Sequence, residues 1–324
     1  MSALLIRVVR KQFKGTTGLG ALLPLFVICL LLTIFTKNFL SYDNIMQVLR
    51  QASIYAIMAT GMTFVIMTGG IDLGQGSYLA FFSVVCCLVI NRTGNMWLGM
   101  GAALACGLLI GALNGSIVAF VRIPAFIVTL GSMFMVRGFT LYITNSTMVA
   151  VKHPFFKTIG QGFTFHIPNP VYIFLLVGLI GQLIVSKTAT GRYVLAIGSN
   201  EETARLSGVN IEWNKIKVFM LSGLCVGVAS IVYLARLSMA QPTAGQGYEM
   251  EAVAATVIGG TSINGGEGSI LGSLIGAVVV AVIRNGLVLL GVQSFFTQIV
   301  VGAIIVLAVG LDITRTRLAA RRLD

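Results

Sequence analysis

Charge is what this chain has least of. Its 324 residues include ten Asp and Glu, and charged side chains of both signs make up 10%. That is too little to cover the outside of a soluble domain of this size. Histidine is rarer still: His153 and His166 are the only two, too far apart to form a helical metal pair. No Gly-Lys-Ser or Gly-Lys-Thr occurs, so the chain has no phosphate loop for ATP. No serine sits in a nucleophile elbow. Cys29, Cys86, Cys87, Cys106 and Cys225 all fall in apolar segments without zinc-ligand spacing. Carboxylates near a span interior reduce to Asp72, with Glu249 and Glu251 at a span boundary, which is thin for a proton relay.

What remains is apolar. Hydrophobic residues make up 56%, with a mean hydropathy of +0.94. The apolar runs are continuous rather than alternating, which argues against a membrane β-barrel. The expected class is an all-α integral membrane protein with about ten transmembrane helices of roughly 20 residues each. Expected spans are 18–36, 48–68, 74–91, 96–120, 124–144, 170–187, 217–236, 249–261, 269–290 and 294–312. The first follows a basic stretch but lacks a small-residue cleavage site, so it reads as a retained span.

A formal net charge of +12 in a soluble protein would suggest nucleic acid. Its placement argues instead for the positive-inside rule, and no nucleic-acid partner is expected. Arg7, Arg10, Lys11 and Lys14 precede the first span, and Arg315, Arg317, Arg321 and Arg322 follow the last. Lys187, Arg192, Arg205, Lys215 and Lys217 cluster in or beside one central loop. Both termini and that loop are therefore expected in the cytoplasm. The chain reads as one transmembrane domain over 1–324. Residues 1–17 would form a basic cytoplasmic N-terminus, 188–216 a cytoplasmic loop, and 313–324 a cytoplasmic tail.

Residues 200–208 (Asn200, Glu201, Glu202, Thr203, Ala204, Arg205, Leu206, Ser207, Gly208) form a short charged helix signal inside that loop. Ser199 or Asn200 can cap it, the two glutamates suit its positive end, and Gly208 suits its stop. A helix this short needs a surface to pack on, which suggests docking to another protein.

Two segments are broken by glycine. Residues 63–77 run apolar into Gly69-Gly70 and a polar turn, and residues 256–269 do the same through Gly259-Gly260. Paired breaks in two halves point to a transport pathway, or else to tight cytoplasmic turns with close helix packing. Gly107, Gly111 and Gly115, like Gly268, Gly272 and Gly276, repeat at four-residue spacing and read as helix-packing stripes. Asp72 is expected to cap the helix that starts near Leu73, to pair with a buried arginine, or to face the pathway. Arg50, Arg137 and Arg284 fall inside spans, where they must face protein or snorkel. With Asn114, Asn145 and Asn285, the deeper Arg137 and Arg284 are the candidates for a polar route that suits hydroxyl-rich solutes.

Several segments together resemble the ribose-type permease family of ABC sugar importers. They include Gly61-Met62-Thr63-Phe64-Val65-Ile66, Gly69-Gly70-Ile71-Asp72-Leu73 and Ile123-Pro124-Ala125-Phe126-Ile127-Val128-Thr129-Leu130-Gly131. Thr190-Gly191-Arg192, Ala196-Ile197-Gly198-Ser199-Asn200, Val257-Ile258-Gly259-Gly260-Thr261-Ser262 and Asn285-Gly286-Leu287 extend the match. The chain departs at Gly74-Gln75-Gly76, where the family usually has Ser-Val-Gly. The resemblance implies a pore-forming subunit in the bacterial inner membrane, paired with a second copy or paralogue and surrounded by membrane lipid. It further implies a cytoplasmic ATPase holding ATP and Mg, a periplasmic sugar-binding protein, and no cofactor on this chain. Residues 200–208 would then be the coupling helix. An ion-coupled carrier or channel working without an ATPase is the alternative.

Overall fold

A computed structural model describes residues 19–293, together with 296, 299, 300, 302, 303 and 310. Among the described residues, twelve α-helices have defined bounds, in chain order: α1 Leu22–Phe35, α2 Tyr42–Met67, α3 Gln75–Thr93, α4 Met96–Ser116, α5 Ala125–Thr144 and α6 Lys157–Gln161. After these come α7 Asn169–Lys187, α8 Ala189–Ser199, α9 Glu201–Leu206, α10 Ile211–Leu237, α11 Tyr248–Ile258 and α12 Ile270–Leu289. Their starts follow local chemistry. The side chains of Ser41, Asn95, Asn200, Asn210 and Ser269 each accept a backbone N–H in the first turn of the helix that follows.

Seven helices among the described residues are long and apolar enough to cross a membrane: α2, α3, α4 (extended by a π-helical turn to Val121), α5, α7, α10 and α12. The expectation of about ten spans is thus not met there. The expected span 18–36 yields α1, an apolar helix of only 14 residues. The expected span 249–261 yields α11, which has 11 residues and, at 1.5 Å each, covers about half of a hydrocarbon core. The expected span 294–312 lies mostly outside the described residues.

Helix α2 is the axis of the bundle, buried on all sides from Ala52 to Met67. It packs against α10, α12, α11 and α7. The α4–α10 pair packs most extensively, and the stripe Gly107, Gly111, Gly115 explains it. A Cβ at any of the three would run into the α10 backbone, at Gly223, Phe219–Met220 and Ile216 respectively. Lipid supplies no hydrophobic drive between helices, so such close approach and its dispersion contacts hold the pair. The polar bond from Thr63 Oγ1 to Ser273 Oγ, 2.7 Å, ties α2 to α12. Helices α5 and α7 lie outside and expose Leu, Ile and Phe side chains such as Phe134 and Leu176.

The two ends of α2 lie about 39 Å apart. At its N-terminal end, short antiparallel pairs join Val149–Ala150 to Met239–Ala240 and Phe163–Thr164 to Ile167–Pro168. Tyr42 donates there to the His166 carbonyl. At the C-terminal end of α2 lie α8 and α9.

Candidate functional site

The α9 end is built from backbone meeting backbone. Helix α2 stops at Met67, and Gly69 and Gly260 take φ of +78° and +89°, which a side chain would resist. Gly266 N then donates to Met67 O at 3.0 Å, so the turn after α11 closes on the turn after α2. Gly198, one residue before the end of α8, packs into that junction. A Cβ on it would meet both Met67 O and Gly266 N. Of the two readings open for these glycine breaks, the structure therefore shows close-packed turns for residues 256–269.

Helix α9 follows directly. Asn200 rather than Ser199 is its cap, with Oδ1 accepting from Thr203 N at 2.8 Å, and Gly208 ends the turn at φ +82°. The nine residues 200–208 divide by direction. Ala204 is buried against Ile197 and Ile211. Glu201 pairs with Lys215 (2.7 Å) and Arg205 (3.5 Å), and Arg205 pairs with Glu212 (2.9 Å), fastening α9 to α10. The hydrogen bond to Glu212 raises the Arg205 guanidinium above its ordinary pKa, so this cation stays charged. Glu202, Thr203, Leu206, Ser207 and Gly208 face outward, with Leu206 81% exposed. Leu206 is thus an apolar side chain left uncovered on an otherwise charged helix.

Two unwound segments reach the middle of the bundle. After Met67 the chain turns back along α2, and Gln75, at the start of α3, donates to Met58 O (3.5 Å), about 14 Å short of the α2 end. From the opposite end, residues 241–247 descend until the Tyr248 ring lies 5.1 Å from Tyr55, near the middle of α2. The two segments touch there, since a Cβ at Gly76 would collide with the Gly245 carbonyl and with Glu249. Non-helical backbone at such depth must find partners inside the protein. Thr129 Oγ1 accepts from Leu73 N at 3.1 Å. Arg137 ties the 241–247 segment to the first turn of α3, donating to Ser77 Oγ (3.2 Å) and to the carbonyls of Pro242 (2.7 Å) and Ala244 (2.8 Å). The second deep break is therefore at 241–247, a stretch that reads in sequence as an ordinary loop.

The remaining candidates have distinct surroundings. Asp72 is buried and accepts from Gly74 N (3.1 Å) and Ser222 Oγ (2.8 Å), with Gln75 donating to the same hydroxyl at 2.9 Å. It holds the entry to α3 and pairs with no described arginine. Asn114 is buried and donates to Tyr78 OH at 2.7 Å, joining α4 to α3. Asn145 is exposed at the left-handed C-cap of α5, so its geometry is that of a helix stop. Arg50 donates to Gln161 O (2.9 Å) and stacks on Phe163, an interfacial placement.

Arg284 and Asn285 come together in a cavity of about 660 Å³ that opens toward the end opposite α9. Arg284 forms an ion pair with buried Glu251 at 2.7 Å. Asn285 exchanges two hydrogen bonds with Asn44, 3.0 and 2.7 Å long. Gln47, Gln51 and Gln246 complete the polar wall. Sequence reasoning missed these three glutamines. The signal was present, because Asn44, Gln47 and Gln51 recur at i, i+3 and i+7 on one helix face.

A bundle of apolar spans with unwound segments at mid-depth and a polar cavity defines a polytopic permease. The model of the branched-chain amino acid transport system permease component matches residues 44–309, and the chain belongs to that family. Relatives bear import names. The ribose import permease protein RbsC of Escherichia coli (strain K12) is 44% identical over 296 residues, covering 90% of this chain and 92% of the relative. RbsC of Bacillus subtilis (strain 168) is 38% identical over 306 residues, 94% of this chain and 95% of the relative. The D-allose transport system permease protein AlsC of Escherichia coli (strain K12) is 35% identical, covering 89% of this chain and 90% of the relative. No solved structure matches the chain significantly.

Proposed function

We propose that this chain is the membrane-spanning subunit of an ATP-driven importer for ribose or a related neutral monosaccharide, in a bacterial inner membrane. A separate ATPase, holding ATP and Mg, docks on α9, and a periplasmic binding protein delivers the sugar to the opposite face. A second copy or paralogue completes the pore. The observation that carries this reading is the junction of Met67, Gly198 and Gly266. Through it, displacement of α9 acts on the ends of α2, α8 and the α11–α12 turn together, without a flexible linker between. Packed elements of this kind switch between discrete arrangements rather than deform smoothly.

The orientation places α9, both termini, the 1–17 and 313–324 segments and the 188–216 loop in the cytoplasm. Arg122, Lys187, Arg192, Lys215 and Lys217 near α9 support it by the positive-inside rule. Ten crossings follow if α1, α11 and residues 294–312 each complete one. Asp72 and Arg137 act in this reading by holding the unwound segments and Asn114 by joining α4 to α3, while Arg284 and Asn285 face the pathway.

The test is reconstitution. Proteoliposomes holding the chain with its ATPase and binding protein should accumulate labelled ribose only with ATP inside the ATPase compartment. Uptake by the chain alone, without ATP, would establish the carrier or channel reading instead.

A further inference from the structure

The α9 end of α4 is irregular. Its continuation, Ile117–Val121, is a π-helical turn packed on α10, and Arg122 ends it at φ +62°. A non-glycine residue keeps that conformation only where its surroundings hold it. Between this turn and the first turns of α10 lies a cavity of about 490 Å³, lined by Phe120, Asn210, Glu212, Trp213 and Ile216. We propose that the cavity holds the headgroup of one acidic phospholipid, from the leaflet on the α9 side, with an acyl chain lying along α4. This goes beyond the importer reading and does not need it.

Charge selects an anion. Glu201, Glu212, Arg205 and Lys215 pair among themselves. Arg122 and Lys217 are left over, with no ion pair among the described residues. Arg122 is exposed within electrostatic reach of Glu212, and Lys217 Nζ lies 5.5 Å from the centre of the Trp213 ring. Asn210, whose Oδ1 caps α10, keeps its amide N–H donors free among the described residues. Two cations and an amide suit phosphate oxygens. Basic pockets of this kind between membrane helices bind acidic headgroups.

Charge alone would equally suit an acidic protein surface; the apolar part selects lipid. Leu109, Leu113, Ile117 and Phe120 are all exposed, and their spacing of four, four and three residues makes one stripe along the side of α4. At 1.5 Å per residue the stripe runs about 16 Å from the cavity, the hydrocarbon depth of one leaflet. Trp213, half-exposed beside Lys217, sits between the stripe and the charges, as interfacial tryptophans do.

Trp213 also reports the site. The chain has two tryptophans, so Trp97→Phe leaves Trp213 alone. In proteoliposomes of that variant, phosphatidylglycerol with brominated acyl chains should half-quench Trp213 at a mole fraction about tenfold below that of brominated phosphatidylcholine, given the attraction of two basic side chains. Arg122→Asn, which tolerates the left-handed turn, and Lys217→Gln should each cut that preference about fivefold. Lys152→Gln, at the opposite end of the bundle, should leave it unchanged, as should added inorganic phosphate. Equal quenching by the two lipids in the Trp97→Phe chain would overturn the site whatever the other variants do. An equal loss in Lys152→Gln would reduce it to general surface charge. If assembly with the ATPase abolished the quenching, a protein partner and not a lipid would be the occupant, and the proposal would fail.

Discussion

Gly266 donates its amide to the carbonyl of Met67 at 3.0 Å, joining the end of α2 to a turn 199 positions away in the chain. Gly198 sits against that bond with no space for a methyl group. The junction brings two helix ends and the approach to α9 into one rigid unit.

Gly198→Ala is the direct test of that unit. The added methyl meets backbone on both sides, so α8 must move or the junction must open, at about 1–3 kcal/mol. We expect the variant to insert, and to hydrolyse ATP in the assembled complex while uptake falls at least severalfold. Uptake equal to wild type at equal membrane abundance would show that the junction transmits nothing.

Leu206 and Ala204 separate docking from folding. Leu206→Ser alters an exposed side chain, so the melting temperature of the isolated chain should not change. Copurification with the ATPase should weaken by about 1–2 kcal/mol, as for an interface anchor. Ala204→Glu should instead lower the melting temperature, since it drives a charge between Ile197 and Ile211. The reverse pattern would mean that α9 docks through its other face.

The pair of Glu251 and Arg284 is amenable to a double-mutant cycle. Glu251→Leu alone leaves the guanidinium half-buried without its carboxylate and should destabilise by about 3–5 kcal/mol. Adding Arg284→Met should recover most of that loss in chemical denaturation in detergent. Additive losses would show that the two groups are not coupled.

Arg137→Met removes the clasp between the unwound 241–247 segment and the start of α3. Two buried carbonyls, those of Pro242 and Ala244, lose charged donors worth about 1.5–3 kcal/mol each at most. Hydrogen exchange at residues 243–249 should accelerate, with α4 and α10 unchanged. Unaltered exchange there would exclude a clasping role.

Much of the fold was legible because its signals are local. Continuous apolar runs mark α2, α4 and α10, and the four-residue glycine spacing marks the α4 face that meets α10. The α9 helix was legible from Asn200, Glu201, Glu202 and Gly208, since caps act within one turn. Depth was not legible. Residues 256–269 and 241–247 are both glycine-rich, and nothing local says which returns to the middle of the bundle. The 11-residue length of α11 escaped for the same reason, because its apolar pattern continues into the turn that follows.

Composition and local pattern by themselves determined a helical membrane protein, its principal spans, its basic loop and a short capped helix within that loop. Each of these depends on free energies set within a few residues, through transfer into lipid or a backbone cap. Only the tertiary structure decided that Met67 meets Gly266, that Arg137 holds Pro242 and Ala244, and that Asn44 pairs with Asn285. Those contacts join residues far apart in the chain, and their geometry follows from how closely glycine-lined helices approach.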